Sequence, residues 1–378
     1  MKTLDLLKAG QSPWLDFIHR GFTRSGELKK MVEKEGLRGM TSNPTIFEKS
    51  ISQGHEYDQD IKTLAKEGAS AHEIYEQLAI TDVREAAATL ENVYRESQGE
   101  DGYVSLEVSP RLAYDLEQTV AEAKRLFARV GAPNVLIKVP STPQGVEATR
   151  QLTASGVNIN VTLIFSADHY AQTARAYADG IKELAARGKD PSKVASVASI
   201  FVSRIDTAVD RRLDELARPA GREDKRGLER LKGKAAVANA RIIYGSYREL
   251  FSSPGFPSQG ARPQRLVWGS TSTKNPAYKD LKYVDGIIGP GTVNTMPLET
   301  FRAFQDHGIV RKTATQGHRE AGEVLQRLEE ANIDLREVCA TLQKDGVAAF
   351  AASMDSLLAT LEARRKEALA LQPKGQAP

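Results

Sequence analysis

Cysteine is almost absent from this sequence: Cys339 stands alone among 378 residues. An internal disulfide is thereby excluded, and a reducing, cytoplasmic setting is the natural expectation. Long apolar runs are absent too. No stretch approaches the roughly 20 residues that span a bilayer, and the N-terminus MKTLDLLKAGQSPWLDF shows no signal-peptide core. Neither sign of charge dominates. A net charge of +3 on a chain of this length gives no argument for a nucleic-acid or membrane partner.

Metal and nucleotide signatures are missing as well. The six histidines, at 19, 55, 72, 169, 307 and 318, form no close pair and have no cysteine cluster beside them. Metal-ligand spacing therefore does not occur. Neither GxGxxG nor GxxxxGKS/T is present, which removes the common nucleotide loops. The chemistry is expected to need no metal and no cofactor. One basic segment, Arg211–Lys234, could suggest a nucleic-acid patch, but Asp214, Glu215, Glu223, Asp224 and Glu229 interleave with its cations and it holds no aromatic residue. It reads as a solvated helix face.

What is present is a regular alternation of β-like runs and long helical stretches. Strands are expected near Trp14–Ile18, Leu37–Thr41, Tyr103–Val108, Val135–Pro140, Val157–Phe165, Val194–Val202, Arg265–Ser270 and Tyr283–Ile288. Helical patterns fill Ala71–Arg95, Arg111–Val130, Ala167–Ala186, Thr207–Tyr247 and Leu298–His307. Eight strands separated by helices predict an α/β fold, a (β/α)8 TIM-type barrel, with a doubly wound open sheet as the alternative. We expect one domain over 1–378, with the barrel at about 12–310 and extra C-terminal helices at about 316–371. Ser252–Pro263 reads as a loop and the tail Gln372–Pro378 as frayed.

The fourth strand carries the most informative residue. Lys138 is set in the middle of NVLIKVPST, an apolar run followed directly by a turn. Lysine is almost never fully buried unless paired, and a neutral amine in such a place is a nucleophile. Strand alternation supplies neighbours. Leu136 and Lys138 share the inner face of the fourth strand. Ser105, Glu107 and Ser109 face inward on the third, and Asn158, Asn160 and Thr162 on the fifth, with Ile159, Val161 and Leu163 facing out. Asp16 faces inward on the first, and Ser199, Phe201 and Ser203 share a face on the sixth. Buried polar groups on consecutive strands are costly unless function retains them. Lys138 could attack a carbonyl to give a carbinolamine and then an iminium, an electron sink for breaking the neighbouring C–C bond. Glu107, through a water near Thr162, could shuttle the protons, and Asp16 is the carboxylate available for the hydroxyl beyond the breaking bond.

These residues lie in motifs that together resemble the transaldolase family: WLDF around Asp16, TSNPTIF (Thr41–Phe47), VSLEVSPRLAYD (Val104–Asp115), NVLIKVPST (Asn134–Thr142), NINVTLIFS (Asn158–Ser166), SIFVSRID (Ser199–Asp206) and VWGSTSTKNP (Val267–Pro276). The resemblance covers about 14–300. It implies transfer of a dihydroxyacetone unit from a ketose phosphate, sedoheptulose 7-phosphate or fructose 6-phosphate, to glyceraldehyde 3-phosphate or erythrose 4-phosphate, in the non-oxidative pentose phosphate pathway. By the same resemblance Lys138 is the Schiff-base residue, Glu107 and Thr162 hold the catalytic water, and Asp16 is the acid/base at the C4 hydroxyl. Asn43 and Asn160 bind the dihydroxyacetone, with Ser199 near its hydroxyls and Phe201 shaping the pocket.

Arg204 offers a planar fork for the substrate phosphate, and the loop after the seventh strand adds Ser270, Thr271, Ser272 and Lys274. Here the chain departs from the family pattern of a serine followed closely by arginine, so the phosphate ligand is left open among those four. Asn43-Pro44 could equally cap a helix, and Gly286–Thr292 reads as a tight turn or an anion nest. The rival functions are a fructose-6-phosphate aldolase releasing free dihydroxyacetone, against which the apolar Phe201 argues, and a sugar-phosphate-binding regulator on an inactive barrel. Monomer and homodimer are both left open.

Overall fold

Alternate aliphatic residues make the strands, and what they pack on closes the sheet. In the computed structural model, which describes residues 1–252, 256 and 260–370, the strands are β1 (Gln11–Asp16), β2 (Gly39–Thr41), β3 (Tyr103–Glu107), β4 (Val135–Pro140), β5 (Ile159–Ile164), β6 (Ser196–Phe201), β7 (Arg265–Gly269) and β8 (Thr292–Met296). They run parallel in sequence order, and β8 pairs back onto β1, giving a closed barrel. Val135, Ile137 and Val139 of β4 are fully buried against the surrounding helices, as the alternation requires. Each such side chain contributes about 1.5–3 kcal/mol of burial.

The opposite face of the strands builds a floor inside the barrel. Trp14, Tyr103, Leu136, Val197, Val267 and Val293 pack together there. Gly39 has no side chain because the Trp14 indole occupies its place: a Cβ on Gly39 would stand 2.4 Å from the ring. Below, Asp101 accepts hydrogen bonds from Ser12 Oγ (2.6 Å) and Trp14 Nε1 (3.0 Å) and pairs with Arg265 at 3.1 Å.

Several expected boundaries move. The eighth strand is not Tyr283–Ile288. Lys282–Asp285 is a short helical turn whose Lys282 and Tyr283 both donate to Asp206 Oδ2 at 2.8 Å. The strand is TVNTM, disguised by buried Thr292, Asn294 and Thr295. Gly286–Thr292 therefore leads into β8 at the floor end, where Gly291 (φ 75°) donates its N–H to Gly10 O: a turn, not a nest at the mouth. The first strand begins at Gln11, not Trp14: the side-chain NH2 of this buried polar start donates to Ile287 O (3.0 Å) and Thr292 Oγ1 (2.8 Å) inside the barrel wall.

The helix expected over Thr207–Tyr247 is three helices, Ser203–Ala217, Arg222–Glu229 and Ala235–Ser252, broken around Pro219–Gly221 and at Gly233 (φ 68°). Arg222–Glu229 buries none of its residues, as its solvated composition requires. Ala167–Ala186 and Leu298–His307 keep their expected bounds. Most of Ser253–Ser258 and the tail Gln372–Pro378 lie outside the described residues. No helix among the described residues is long and apolar enough to cross a membrane.

In β5 the register shifts between Val161 and Ile164, and Leu163 has φ 58°. Leu163 was expected to continue the outward face. The bulge turns it instead toward the C-terminal helix Leu335–Ala370, where a Cβ on Gly346 would stand 2.8 Å from its side chain. Bulges of this kind re-aim side chains near functional sites. That helix lies across the strand ends. Cys339 Sγ donates to Phe165 O at 3.4 Å, Gln343 Nε2 donates to Ser141 O (3.0 Å) and Leu163 O (3.2 Å), and Ser353 Oγ bonds Thr45 Oγ1 at 2.8 Å.

Candidate active site

The barrel register puts the polar residues of neighbouring strands side by side. Glu107 is the partner of Lys138 across β3–β4, and Asn160 is its partner across β4–β5. Lys138 is 3% exposed and Glu107 6%, so the pair is cut off from bulk water. Lys138 Nζ donates to Ser42 O at 3.1 Å and stands 3.4 Å from Glu107 Oε2, within ion-pair range. Desolvation raises the Glu107 carboxyl to about 7, against the lowering by Lys138; Asp16 adds to the rise. A carboxyl in that range both gives and takes protons near neutral pH.

Two atoms in this cluster lack hydrogen-bond partners among the described residues. Glu107 Oε2 and Thr162 Oγ1 are buried and make no hydrogen bond among the described residues. Buried polar atoms of this kind call for an explanation, and a water or substrate hydroxyl between them would satisfy both.

Asp16 comes from the top of β1, two residues beyond Trp14 on the same face. Thr41 Oγ1 donates to its Oδ1 at 2.6 Å and also bonds Thr295 Oγ1 at 2.7 Å. Desolvation raises the Asp16 carboxyl, against the lowering effects of Lys138 and of the Thr41 bond. Asn160 is held from both ends: its Nδ2 donates to Ser105 Oγ (2.9 Å) and its Oδ1 accepts from Ser199 Oγ (2.7 Å). Ser109, expected to extend the inner face of β3, lies past the strand end, where its N–H donates to Glu122 at 2.7 Å.

Asn43 does cap a helix. Its Oδ1 accepts from Ile46 N at 3.0 Å, with Pro44 in the first turn of Pro44–Gln53. That leaves its amide NH2 to face a ligand. Phe201 packs on Phe165 with centroids 5.3 Å apart, and the Arg204 guanidinium lies 5.4 Å from its centroid. Burial lowers the Arg204 pKa, and no acid among the described residues pairs with it. An unpaired, half-buried guanidinium at a barrel mouth suits an anion.

In the loop after β7, Ser270 has φ 52° and bonds Ser203 Oγ at 3.0 Å, which ties the loop to the start of the helix Ser203–Ala217 that carries Arg204. Thr271 is buried and donates to Asn294 Oδ1 at 3.0 Å. Lys274 is exposed and Ser272 partly so.

Four contributors were not foreseen. Thr41 was legible, since it lies two residues from Gly39 on the inner face. The Ser42 carbonyl left no side-chain signal. Gln343 and Phe350 come from the C-terminal helix, whose apolar stripe tells that a face is buried but not against what. The Phe350 ring centroid is 6.0 Å from Lys138 Nζ.

Fold and site together define an α/β-barrel enzyme of the kind that gathers its reactive groups around a buried lysine at the C-terminal ends of the strands. The family model described as Transaldolase/Fructose-6-phosphate aldolase matches residues 13–361. The chain belongs to this family. It is 43% identical over 370 residues to a transaldolase of Trichodesmium erythraeum (strain IMS101), covering 96% of this chain and 97% of that one. It is 44% identical over 362 residues to a transaldolase of Thiobacillus denitrificans (strain ATCC 25259 / T1), covering 95% and 99%. A transaldolase of Saccharopolyspora erythraea is 43% identical over 367 residues, with 96% and 97% covered. The likeness thus runs well past residue 300 and takes in most of the C-terminal helix.

Proposed function

We propose that this protein is a transaldolase: it moves a dihydroxyacetone unit from a ketose phosphate to an aldose phosphate through a Schiff base on Lys138. The observation that carries the reading is the buried Lys138–Glu107 pair beside the unpartnered hydroxyl of Thr162. The names of the relatives support the same activity.

In this reading the Lys138 nitrogen attacks the ketose C2, and the carbonyl oxygen takes a proton to give the carbinolamine. Glu107 then protonates the departing hydroxyl, which leaves as water between Glu107 and Thr162, and the iminium forms. Asp16 takes the proton of the C4 hydroxyl. The C3–C4 bond breaks, its electrons flow into the iminium as an enamine, and C4 leaves as the aldehyde of the shortened sugar. The enamine carbon attacks the incoming aldehyde, Asp16 returns the proton, and hydrolysis by the reverse of the first steps frees the product. Asn160, Ser199 and the amide NH2 of Asn43 hold the hydroxyls of the three-carbon unit, with Phe201 as the wall beside them. Arg204 takes the phosphate, with Ser270 and Lys274 as the loop's contributions. We infer a cytoplasmic reaction carried out by one barrel domain with its C-terminal helices.

Incubation with fructose 6-phosphate and borohydride is expected to leave one reduced adduct, mapped to the peptide holding Lys138. Added erythrose 4-phosphate is expected to yield sedoheptulose 7-phosphate. An adduct elsewhere ends the reading; free dihydroxyacetone as the main product would favour the aldolase. Asp16→Asn is expected to form the trapped adduct at a near-normal level, yet to slow transfer by about 10²–10⁴-fold. Loss of the adduct itself would move Asp16 out of the cleavage step.

A further inference from the structure

The proposed steps leave one close neighbour of Lys138 without a task. Phe350 is 4% exposed and faces the Lys138 amine from the C-terminal helix, 6.0 Å from ring centroid to nitrogen. It arrives there by construction. Gln343 fixes the helix to the ends of β4 and β5, Leu163 is bulged into the space left by Gly346, and the bond between Ser353 and Thr45 fixes the far side over β2. One helical turn beyond Phe350, Met354 lines a small cavity that also touches Glu107. The ring is thus held from both directions along its helix.

We propose that Phe350 is a shielding residue: it roofs the Lys138 nitrogen and sets how the bound three-carbon unit divides between transfer to an aldehyde and loss to water. This rests on the Schiff-base reading. Loss to water needs two steps. The enamine carbon takes a proton to regenerate an iminium. Water oxygen then bonds to C2 while one of its protons passes to Glu107; nitrogen takes a proton, the new C2 hydroxyl gives up its own, and the C2–N bond breaks as C2=O forms, freeing dihydroxyacetone and the amine. The second step is the hydration that also frees the transfer product, so the first decides the partition: it needs a proton from water beside the enamine. An apolar ring over the nitrogen denies bulk water that approach, and its face also favours a delocalised, weakly hydrated cation such as the iminium. Water released from the carbinolamine has its own place, at the unpartnered atoms of Glu107 and Thr162.

The test compares the whole protein with Phe350→Ala and Phe350→Leu, given fructose 6-phosphate and erythrose 4-phosphate. The readout is free dihydroxyacetone released per sedoheptulose 7-phosphate formed. This ratio is insensitive to the fraction of folded enzyme, so a merely structural role would not move it. Phe350→Ala is expected to raise the ratio about tenfold and Phe350→Leu by about threefold, following the area of roof removed. Ratios within about 1.5-fold of the unaltered protein in both variants overturn the proposal. If Phe350→Ala fails to fold, Phe350→Leu decides alone on the same criterion. Borohydride trapping separates the two levels of inference. An adduct on Lys138 with unchanged ratios sinks only the shield, whereas no adduct in the unaltered protein sinks the Schiff-base reading beneath it.

Discussion

Lys138→Met is expected to abolish turnover, by a factor on the order of 10⁴ or more, and to leave the barrel folded. Methionine keeps most of the length of the lysine stem and its apolar contacts, so the packing between β3, β4 and β5 is preserved. What goes is the amine that pairs with Glu107 at 3.4 Å. The lowering effect of Lys138 on the Glu107 carboxyl goes with it, and desolvation then acts nearly unopposed. Glu107 accordingly takes a proton at neutral pH instead of standing as an unpaired buried charge, which is why the fold survives. The measurements are a transfer assay, a borohydride trap and a thermal melt. Retention of more than about a hundredth of the original rate would mean that another nucleophile forms the intermediate.

Glu107→Gln carries the second large effect, expected at about 10²–10⁴-fold in kcat. Its pH dependence is the sharper signature. In the unaltered protein the free enzyme has to present the carboxylate to accept the proton shed by the attacking amine. The kcat/KM profile should therefore rise with pH through about 7, where Glu107 titrates. The variant should lack that limb. Stability follows the opposite course. The folded-state pKa is raised above its ordinary value of 4.5, so the protonated form is the better-tolerated one inside the barrel. The associated stability is fully present below pH 4.5 and is lost as pH rises through about 7. Melting temperatures across that window should fall in the unaltered protein and run flatter in Glu107→Gln. Parallel slopes in the two proteins would show that another group dominates the trend.

Much of the site was open to reading from strand alternation, because a closed parallel barrel makes that alternation unambiguous: one face meets helices, the other meets the interior. Glu107, Lys138 and Asn160 become neighbours from register alone. Positions where a polar residue is buried inside the wall were harder. Gln11, Thr292 and Asn294 look like loop residues, so β1 was expected late and β8 was sought in the apolar stretch Tyr283–Ile288. Local breaks were visible but outweighed by a long amphipathic pattern, as at Pro219–Gly221 and Gly233. The bulge at Leu163 left no mark, since leucine gives no hint of a left-handed backbone. The path of the C-terminal helix was invisible for a different reason. Helical periodicity reports a covered face, while the identity of the covering surface is set by contacts hundreds of residues away, such as Gln343 with Ser141.

The packed floor of Trp14, Tyr103 and Leu136 has a kinetic consequence. A vessel sealed at one end has a single port, and every reactant must come and go through it. In the proposed mechanism the shortened aldose has to clear that port before the acceptor can reach the enamine on Lys138, so the two sugars take turns. Plots of reciprocal rate against reciprocal donor concentration, drawn at several fixed acceptor levels, should then be parallel lines, the mark of a ping-pong enzyme.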